Sequence, residues 1–260
     1  TLDTLDSPAL EKKGALVPPE SSRSAQLEYL LAFLADGRED HLVRAHCPTA
    51  LARLLVGLPP GFHEAYRAKI AGDLLGRLEP RAKERNEVVQ SSVQALGLIG
   101  TNDDANPLDR KIREALSGVS QDAAARNFAM ISLAKIGART AIGAGNAEGG
   151  LEEITKVLLA RLAGGRGNVK AWAAISCGVL ANELARTNEG ATRIATLQSA
   201  VRIALDEEGK DPSKLGALAI AAGLMGHIEV KERLVLRLDS TKDENARGYV
   251  AIGLGLMNAH

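Results

Sequence analysis

The chain has 260 residues, of which 45% are hydrophobic but only 3% are aromatic, and its 32 basic residues balance its 32 acidic residues. This balance disfavours extended nucleic-acid binding, which draws most of its affinity from uncompensated Lys and Arg. No apolar run reaches the roughly 18 residues that a membrane-spanning helix needs. The apolar content supports a sizeable core, packed mainly through small and aliphatic side chains.

The first 23 residues carry three prolines and no helical pattern, so we predict an irregular arm or linker over 1–23. The chain begins at Thr1 rather than Met, which is compatible with a removed leader. By default we expect a soluble, cytoplasmic protein. Apolar spacing predicts a helix over 25–35, and Pro48 interrupts the next helical segment. We predict that 24–58 forms a degenerate N-terminal capping repeat.

Five later stretches repeat one pattern, in which a capping Asn or Asp precedes a nearly all-apolar helix that ends in small residues. We call them B helices and predict them over 86–100, 122–137, 168–181, 211–226 and 243–258. Aligned on the small residue near each end, they anchor at Gly97, Ala134, Gly178, Gly223 and Gly255, which gives spacings of 37, 44, 45 and 32 residues. These spacings are typical of a helix-pair solenoid.

An amphipathic A helix precedes each B helix. The A helices mix aliphatic and charged residues at helical spacing and are predicted over 62–78, 107–119, 151–163, 191–205 and 228–238. The B helices lack a polar face, as expected where neighbouring B helices flank them and A helices cover them. We therefore predict an all-α fold, an α-solenoid of about five to six antiparallel helix pairs, with five repeats over 60–260.

Residues that favour helix ends flank these segments. The predicted N-caps are Asn86, Asn106, Asp122, Asn168, Asp211 and Asp243. At the other end, left-handed C-terminal glycines are predicted at Gly100, Gly137 and Gly226.

The runs VQALGLIG and SLAKIGA, with a basic residue eight positions before the anchor, resemble the HEAT-like repeats typified by phycobilisome lyases and bacterial HEAT-repeat proteins. The basic residues are Arg126, Lys170 and Arg247. The resemblance covers residues 60–260 and implies an armadillo-type solenoid. Such repeats serve scaffolds, transport receptors, lyases, a hydroxylase and DNA glycosylases alike, so the resemblance does not assign one function.

Candidate metal ligands are sparse. The pair His63–Glu64 resembles one His–Glu pair of the HEAT-repeat hydroxylase, but that site needs several such pairs. The spacing of His41, His46 and Cys47 does not place all three on one helical face. We therefore predict no metal site, and a disulfide between Cys47 and the distant Cys177 is not expected.

Candidate catalytic and cofactor-binding motifs are equally weak. The glycine-rich segment 142–150 follows a helix rather than a strand, so we interpret it as a flexible inter-repeat loop and not as a phosphate-binding loop. The pair Asp103–Asp104 is interpreted as solvated loop charge. No nucleophile and base occur in a recognisable frame. We predict no catalytic residue and no cofactor.

Three of the seven aromatic residues share one repeat position, six residues before the anchor: Phe128, Trp172 and Tyr249. This column either packs between B helices, which we favour, or lines an inner binding surface, where Trp and Tyr are common. The basic column of Arg126, Lys170 and Arg247 either forms a stacking ladder, which we favour, or binds acidic ligands. Both columns are candidate partner-binding residues.

We expect a non-catalytic scaffold that binds a protein or peptide through its inner surface and loops. The alternative is a HEAT-like enzyme, either a chromophore lyase subunit or a DNA glycosylase. A glycosylase would need a basic, aromatic-lined groove, which this composition disfavours. We also expect the last repeat to continue into further repeats or to be covered by a second copy or another subunit, because Leu254, Leu256 and Met257 precede no polar capping helix.

Overall fold

A computed structural model of the chain describes residues 22–56, 58, 60–120, 122–141, 143–187, 190–208 and 211–257. Regular structure in these residues is helical, and the predicted all-α, solenoid-like fold class is confirmed. Residues 1–21 of the predicted arm lie outside the described residues, as does residue 258 of the last predicted B helix.

A and B helices alternate after a short N-terminal group. That group contains α1 (Arg23–Ala35), α2 (His41–Arg44) and α3 (Cys47–Leu54). The A helices are α4 (Pro60–Leu78), α6 (Pro107–Gly118), α8 (Ala147–Gly164), α10 (Ala191–Glu208) and α12 (Lys231–Ser240). The B helices are α5 (Asn86–Ile99), α7 (Ala123–Gly137), α9 (Asn168–Arg186), α11 (Pro212–Leu224) and α13 (Glu244–Met257). Most bounds lie close to the predicted ones, but α9 continues to Arg186, past its predicted end at 181.

The chain divides into two compact units. Unit 1 comprises residues 1–100 and 114–128, and unit 2 comprises residues 101–113 and 129–260. Within unit 1, α3 packs against α1 and α5, and α4 packs against α5. Within unit 2, α9, α11 and α13 pack in series, while α8 and α10 pack on α9, α10 on α11, and α12 on α13. Unit 2 therefore has the two layers that the alternation of amphipathic and apolar helices predicts.

The N-cap predictions were correct for four helices. Asn106, Asp122, Asp211 and Asp243 each accept a first-turn backbone N–H, at 2.9, 2.8, 3.1 and 2.7 Å. They were wrong for Asn86 and Asn168, which are already the first helical residues, because the non-helical backbone lies one residue earlier than the pattern indicated.

The prediction of a left-handed glycine at the C-terminal end of a B helix is correct for α11. Gly226 adopts φ +60°, and the following His227 N–H donates to Ala222 O at 3.0 Å, which closes a Schellman-type end to α11. Gly100 is extended instead, with φ −74°, and Gly137 is still helical as the last residue of α7. Among the described residues, no helix combines the length and apolarity needed to cross a bilayer.

Candidate functional site

One side of α9 is apolar yet accessible to solvent. Trp172, Ile175 and Val179 are half-buried, whereas most intervening residues are fully buried. Residues at these spacings share one side of a helix. Solvent therefore reaches an aromatic and aliphatic side of α9, although the helix is otherwise enclosed by its neighbours.

The equivalent positions of α11 and α13 extend this side. Ile220, Leu224 and Leu256 are half-buried, and Tyr249 and Ile252 are 49% and 52% exposed. Because α9, α11 and α13 pack in series, these side chains belong to one surface. We call it the apolar face; it consists of Trp172, Ile175, Val179, Ile220, Leu224, Tyr249, Ile252 and Leu256.

Close contacts between neighbouring helices hold the apolar face in place. The ring of Tyr249 lies directly over Gly216 of α11, where an added Cβ would lie 2.9 Å from Tyr249 Cδ2. At the other end of the face, the Asn182 side chain donates to Leu224 O at 2.9 Å and so links α9 to α11. The ring position depends on glycine, since any side chain at position 216 would displace it.

The predicted aromatic column is partly exposed. Trp172 and Tyr249 both lie on the apolar face, while Phe128 of α7 is half-buried. Trp172 is intermediate between the two alternatives, because the residue is neither fully buried nor fully exposed. Tyr249 is similar: its ring packs on Gly216, yet about half of the residue is exposed to solvent.

The basic column does not line the apolar face. Lys170 precedes Trp172 by two residues, and Arg247 precedes Tyr249 by two, so each basic residue lies about 200° around the helix axis from its aromatic neighbour. Lys170 is half-buried and Arg247 is exposed. Arg126 is half-buried, and its Nε has no hydrogen-bond partner among the described residues. The two candidate columns therefore lie on different sides of these helices.

The sequence pattern missed a buried cation in unit 2. The Arg113 side chain of α6 is fully buried, and its guanidinium pairs with Asp104 at 2.6 Å and with Glu153 of α8 at 2.7 Å. It also donates to the carbonyl oxygens of Thr101 and Asp103. A guanidinium can be buried when its donors are satisfied in this way. In the sequence, Arg113 follows Ile112 in an ordinary amphipathic pattern, so its burial could not be predicted.

The interpretation of Asp103–Asp104 as solvated loop charge was wrong. Asp103 is only 8% exposed, and its carboxylate accepts the backbone N–H of Asn146 at 2.9 Å and that of Ala105 at 3.0 Å. The hydrogen bond from Asn146 is the main reason that the pKa of Asp103 lies below its usual range. Asp104 pairs with Arg113. The acidic pair is therefore part of the packing between helices.

The interpretation of 142–150 as a flexible loop also needs correction, although residue 142 itself lies outside the described residues. Asp104 N–H donates to Asn146 O at 2.8 Å, and the Asn146 N–H returns a bond to Asp103. Nearby, the Asn102 side chain donates to Gly137 O at 2.9 Å. Backbone hydrogen bonds thus fix this segment to the preceding inter-helix loop.

The candidate reactive side chains include two cysteines and one His–Glu pair. Cys47 and Cys177 are free and buried. Burial raises the pKa of Cys177 to about 12, so its thiol stays protonated at neutral pH. His63 hydrogen-bonds Glu64 at 3.1 Å on the exposed surface of α4. In the described part of the chain, no three His, Cys, Asp or Glu side chains group as metal ligands.

Comparisons with known proteins assign neither a family nor a function to the chain. No protein-family model and no curated protein matches the sequence. A crystal structure of an engineered protein is similar at 18% identity, with 90% of this chain and 97% of that chain covered and a TM-score of 0.44. A similarity at that level carries no argument about function.

Proposed function

We propose that the chain is a non-catalytic, HEAT-like scaffold whose apolar face binds an apolar segment of another protein or peptide. The observation that carries the proposal is the apolar face itself. It repeats over three packed helices and includes two aromatic residues that are neither fully buried nor fully exposed. Tyr and Trp in such positions are common binding hot spots, and contiguous exposed apolar surface commonly marks interaction sites.

The chemistry of the face indicates what it would bind. Its half-buried side chains are aliphatic and aromatic, and the basic column points elsewhere. An amphipathic helix that lays its apolar side on the face would suit this composition better than an acidic peptide. The neutral net charge supports the same choice, since it offers no long-range attraction for a strongly charged ligand.

Selection from a displayed random-peptide library, with the 260-residue chain as the target, tests this proposal. We expect enriched peptides with apolar residues at helical spacing. Binding should change the emission of Trp172, the chain's single tryptophan. Ile252→Lys should weaken binding by about tenfold or more, because it places a charge at the centre of a dry contact.

The matched control is Ile203→Lys on α10, since Ile203 is 47% exposed but is not part of the apolar face. This variant should bind the selected peptides like the parent chain. Peptides that bind the Ile252→Lys and parent chains equally well would contradict the proposed binding surface.

A further inference from the structure

A groove of about 390 Å³ lies between the A helices α10 and α12 of unit 2. These two helices contact each other less extensively than α8 and α10 do, and the Arg233–Asp206 ion pair, at 2.6 Å, joins them. Its volume is within the range of small-molecule sites, roughly 300–1,000 Å³. We call it the α10–α12 groove; the described residues that line it are Leu205, Asp206, Arg233, Leu236, Arg237 and Ser240.

One side of α12 forms most of the groove. Its four lining residues are three, four and seven positions apart, counted from Arg233, and a helix places residues at this spacing on one side. Two guanidinium groups therefore share the groove with the Leu236 side chain, which is 69% exposed. On the α10 side, Leu205 is buried. The groove thus combines two cations with an aliphatic surface.

The arginines of the groove have unused hydrogen-bond donors. Arg237 is half-buried, and its guanidinium has no ion-pair or hydrogen-bond partner among the described residues. Arg233 donates to both oxygens of Asp206 through Nη1 alone, at 2.6 and 2.8 Å. Its Nε and Nη2 therefore have no acceptor in the described structure. One edge of a guanidinium can donate two parallel hydrogen bonds to a single carboxylate.

The charge of the groove favours a monoanion. Among the lining residues, Asp206 balances only one of the two arginines, Arg233 and Arg237. Arg202 lies 3.8 Å from Asp206 but does not line the groove. A partly buried cation without a counter-charge is unfavourable, and one carboxylate would neutralise the remaining charge of the lining.

We propose that the α10–α12 groove binds a monocarboxylate that carries an aliphatic side chain. The carboxylate accepts hydrogen bonds from Arg233 and Arg237, and the side chain covers Leu205 and Leu236, which removes apolar surface from water. A free acylated amino acid and the C-terminal residue of a peptide both have this chemistry. The proposal does not rest on the function proposed for the apolar face, because the two surfaces share no residue.

N-acetyl-L-leucine is the probe for the groove. It is titrated into the 260-residue chain carrying ¹³C-labelled leucine methyl groups, and the Leu236 signals are identified by their loss in Leu236→Ile. We expect saturable shifts of the Leu236 methyl signals. N-acetyl-L-leucinamide lacks the carboxylate and acetate lacks the side chain, so each should bind about tenfold more weakly or less.

Arg237→Gln tests the groove on the protein side. It removes a charge-assisted hydrogen bond and should weaken the binding of N-acetyl-L-leucine about tenfold or more, with parent-like circular dichroism and melting. Arg110→Gln is the matched control, since Arg110 of α6 is exposed and does not line the groove. A second variant, Leu236→Ser, changes an exposed position; followed through the Leu205 methyl signals, it should reduce the preference for N-acetyl-L-leucine over acetate.

A peptide distinguishes the two sources of the ligand. Acetylated tetra-alanyl-leucine presents the same carboxylate and side chain at the end of a main chain. Binding as tight as that of N-acetyl-L-leucine, or tighter, would support the proposal with a peptide C-terminus as the ligand. Weaker binding would support it with a free acylated amino acid.

Four results would overturn the inference. They are an absence of saturable shifts at Leu236, equal binding of N-acetyl-L-leucinamide, tighter binding of isobutyl phosphate, and binding that Arg237→Gln does not weaken. Trp172 emission should stay constant throughout, because Trp172 lies on the apolar face and not in the groove. A failure in the groove therefore leaves the proposed function of the apolar face to its own test.

Discussion

Gly223→Ala and Gly255→Ala make the same chemical change at equivalent positions of α11 and α13, yet we expect opposite effects on stability. Alanine is favoured over glycine in a helix by about 0.5–1 kcal/mol. At Gly255 no neighbouring helix opposes this gain, because no heavy atom of the described residues beyond the adjoining backbone of α13 lies within 4 Å of the added Cβ. Gly255→Ala should therefore raise the free energy of unfolding by up to about 1 kcal/mol, less if the end of α13 frays.

At Gly223 the added methyl would lie 2.9 Å from Gly253 Cα and 2.9 Å from Leu256 Cβ. The first of these atoms is backbone, so α13 must move away from α11. Overpacking of this kind typically costs about 1–3 kcal/mol, which exceeds the gain in helix propensity. We therefore expect Gly223→Ala to be less stable than the parent, and the two variants to differ by about 1–3 kcal/mol.

Urea unfolding followed by circular dichroism at equal protein concentration measures this difference. Each kcal/mol should also appear as a shift of about 2–4 °C in the melting temperature. Equal stability of the two variants, or a more stable Gly223→Ala, would refute the close approach of α11 and α13 at their glycines. A lower stability of Gly255→Ala would show that this side of α13 is already packed.

Three further outcomes are expected. Leu96→Asp puts an unpaired charge at a fully buried site of α5 and should lower the unfolding free energy by several kcal/mol, about 3 or more, whereas the exposed Lys111→Ala should melt like the parent. Arg113→Met leaves two carboxylates and two carbonyls without their cation and should cost about 3 kcal/mol in urea unfolding, while Arg110→Met, exposed on the same helix, should cost little. Burial lowers the pKa of His227 below 6.5, so as the pH falls the unfolded chain binds this proton before the folded chain does. The contribution of His227 to the unfolding free energy should therefore be constant above pH 6.5 and decrease below it. Urea midpoints measured between about pH 7.5 and 5 should fall with decreasing pH, and His227→Gln should reduce that fall.

The local sequence pattern was sufficient to predict the helices and the fold class. The small-residue anchors, the apolar B helices and caps such as Asp122 and Asp243 are encoded within a few residues of one another, so the helix pairs could be predicted from the chain alone. The cap errors at Asn86 and Asn168 are single-residue shifts, because a side chain that can cap does not by itself determine where the helical backbone begins.

The candidate site could be predicted only in part. Repeat alignment identified Trp172 and Tyr249, since the same position recurs in each B helix. Lys170 and Arg247 occupy a repeat position two residues earlier, which helical geometry places on another side of the helix. Alignment did not indicate how far Trp172 is buried, because exposure depends on which sides of α9 its neighbours cover.

Only the tertiary structure decided which polar and small residues carry the packing. Burial of Arg113 follows from the positions of Asp104 and Glu153, which come together only when α8 packs near the loop before α6. Gly223 and Gly255 are equivalent in sequence, yet a neighbouring helix encloses one and leaves the other exposed. A sequence repeat specifies what each helix can contact, whereas stacking determines which of those contacts form, because each contact needs atoms from segments far apart in the chain.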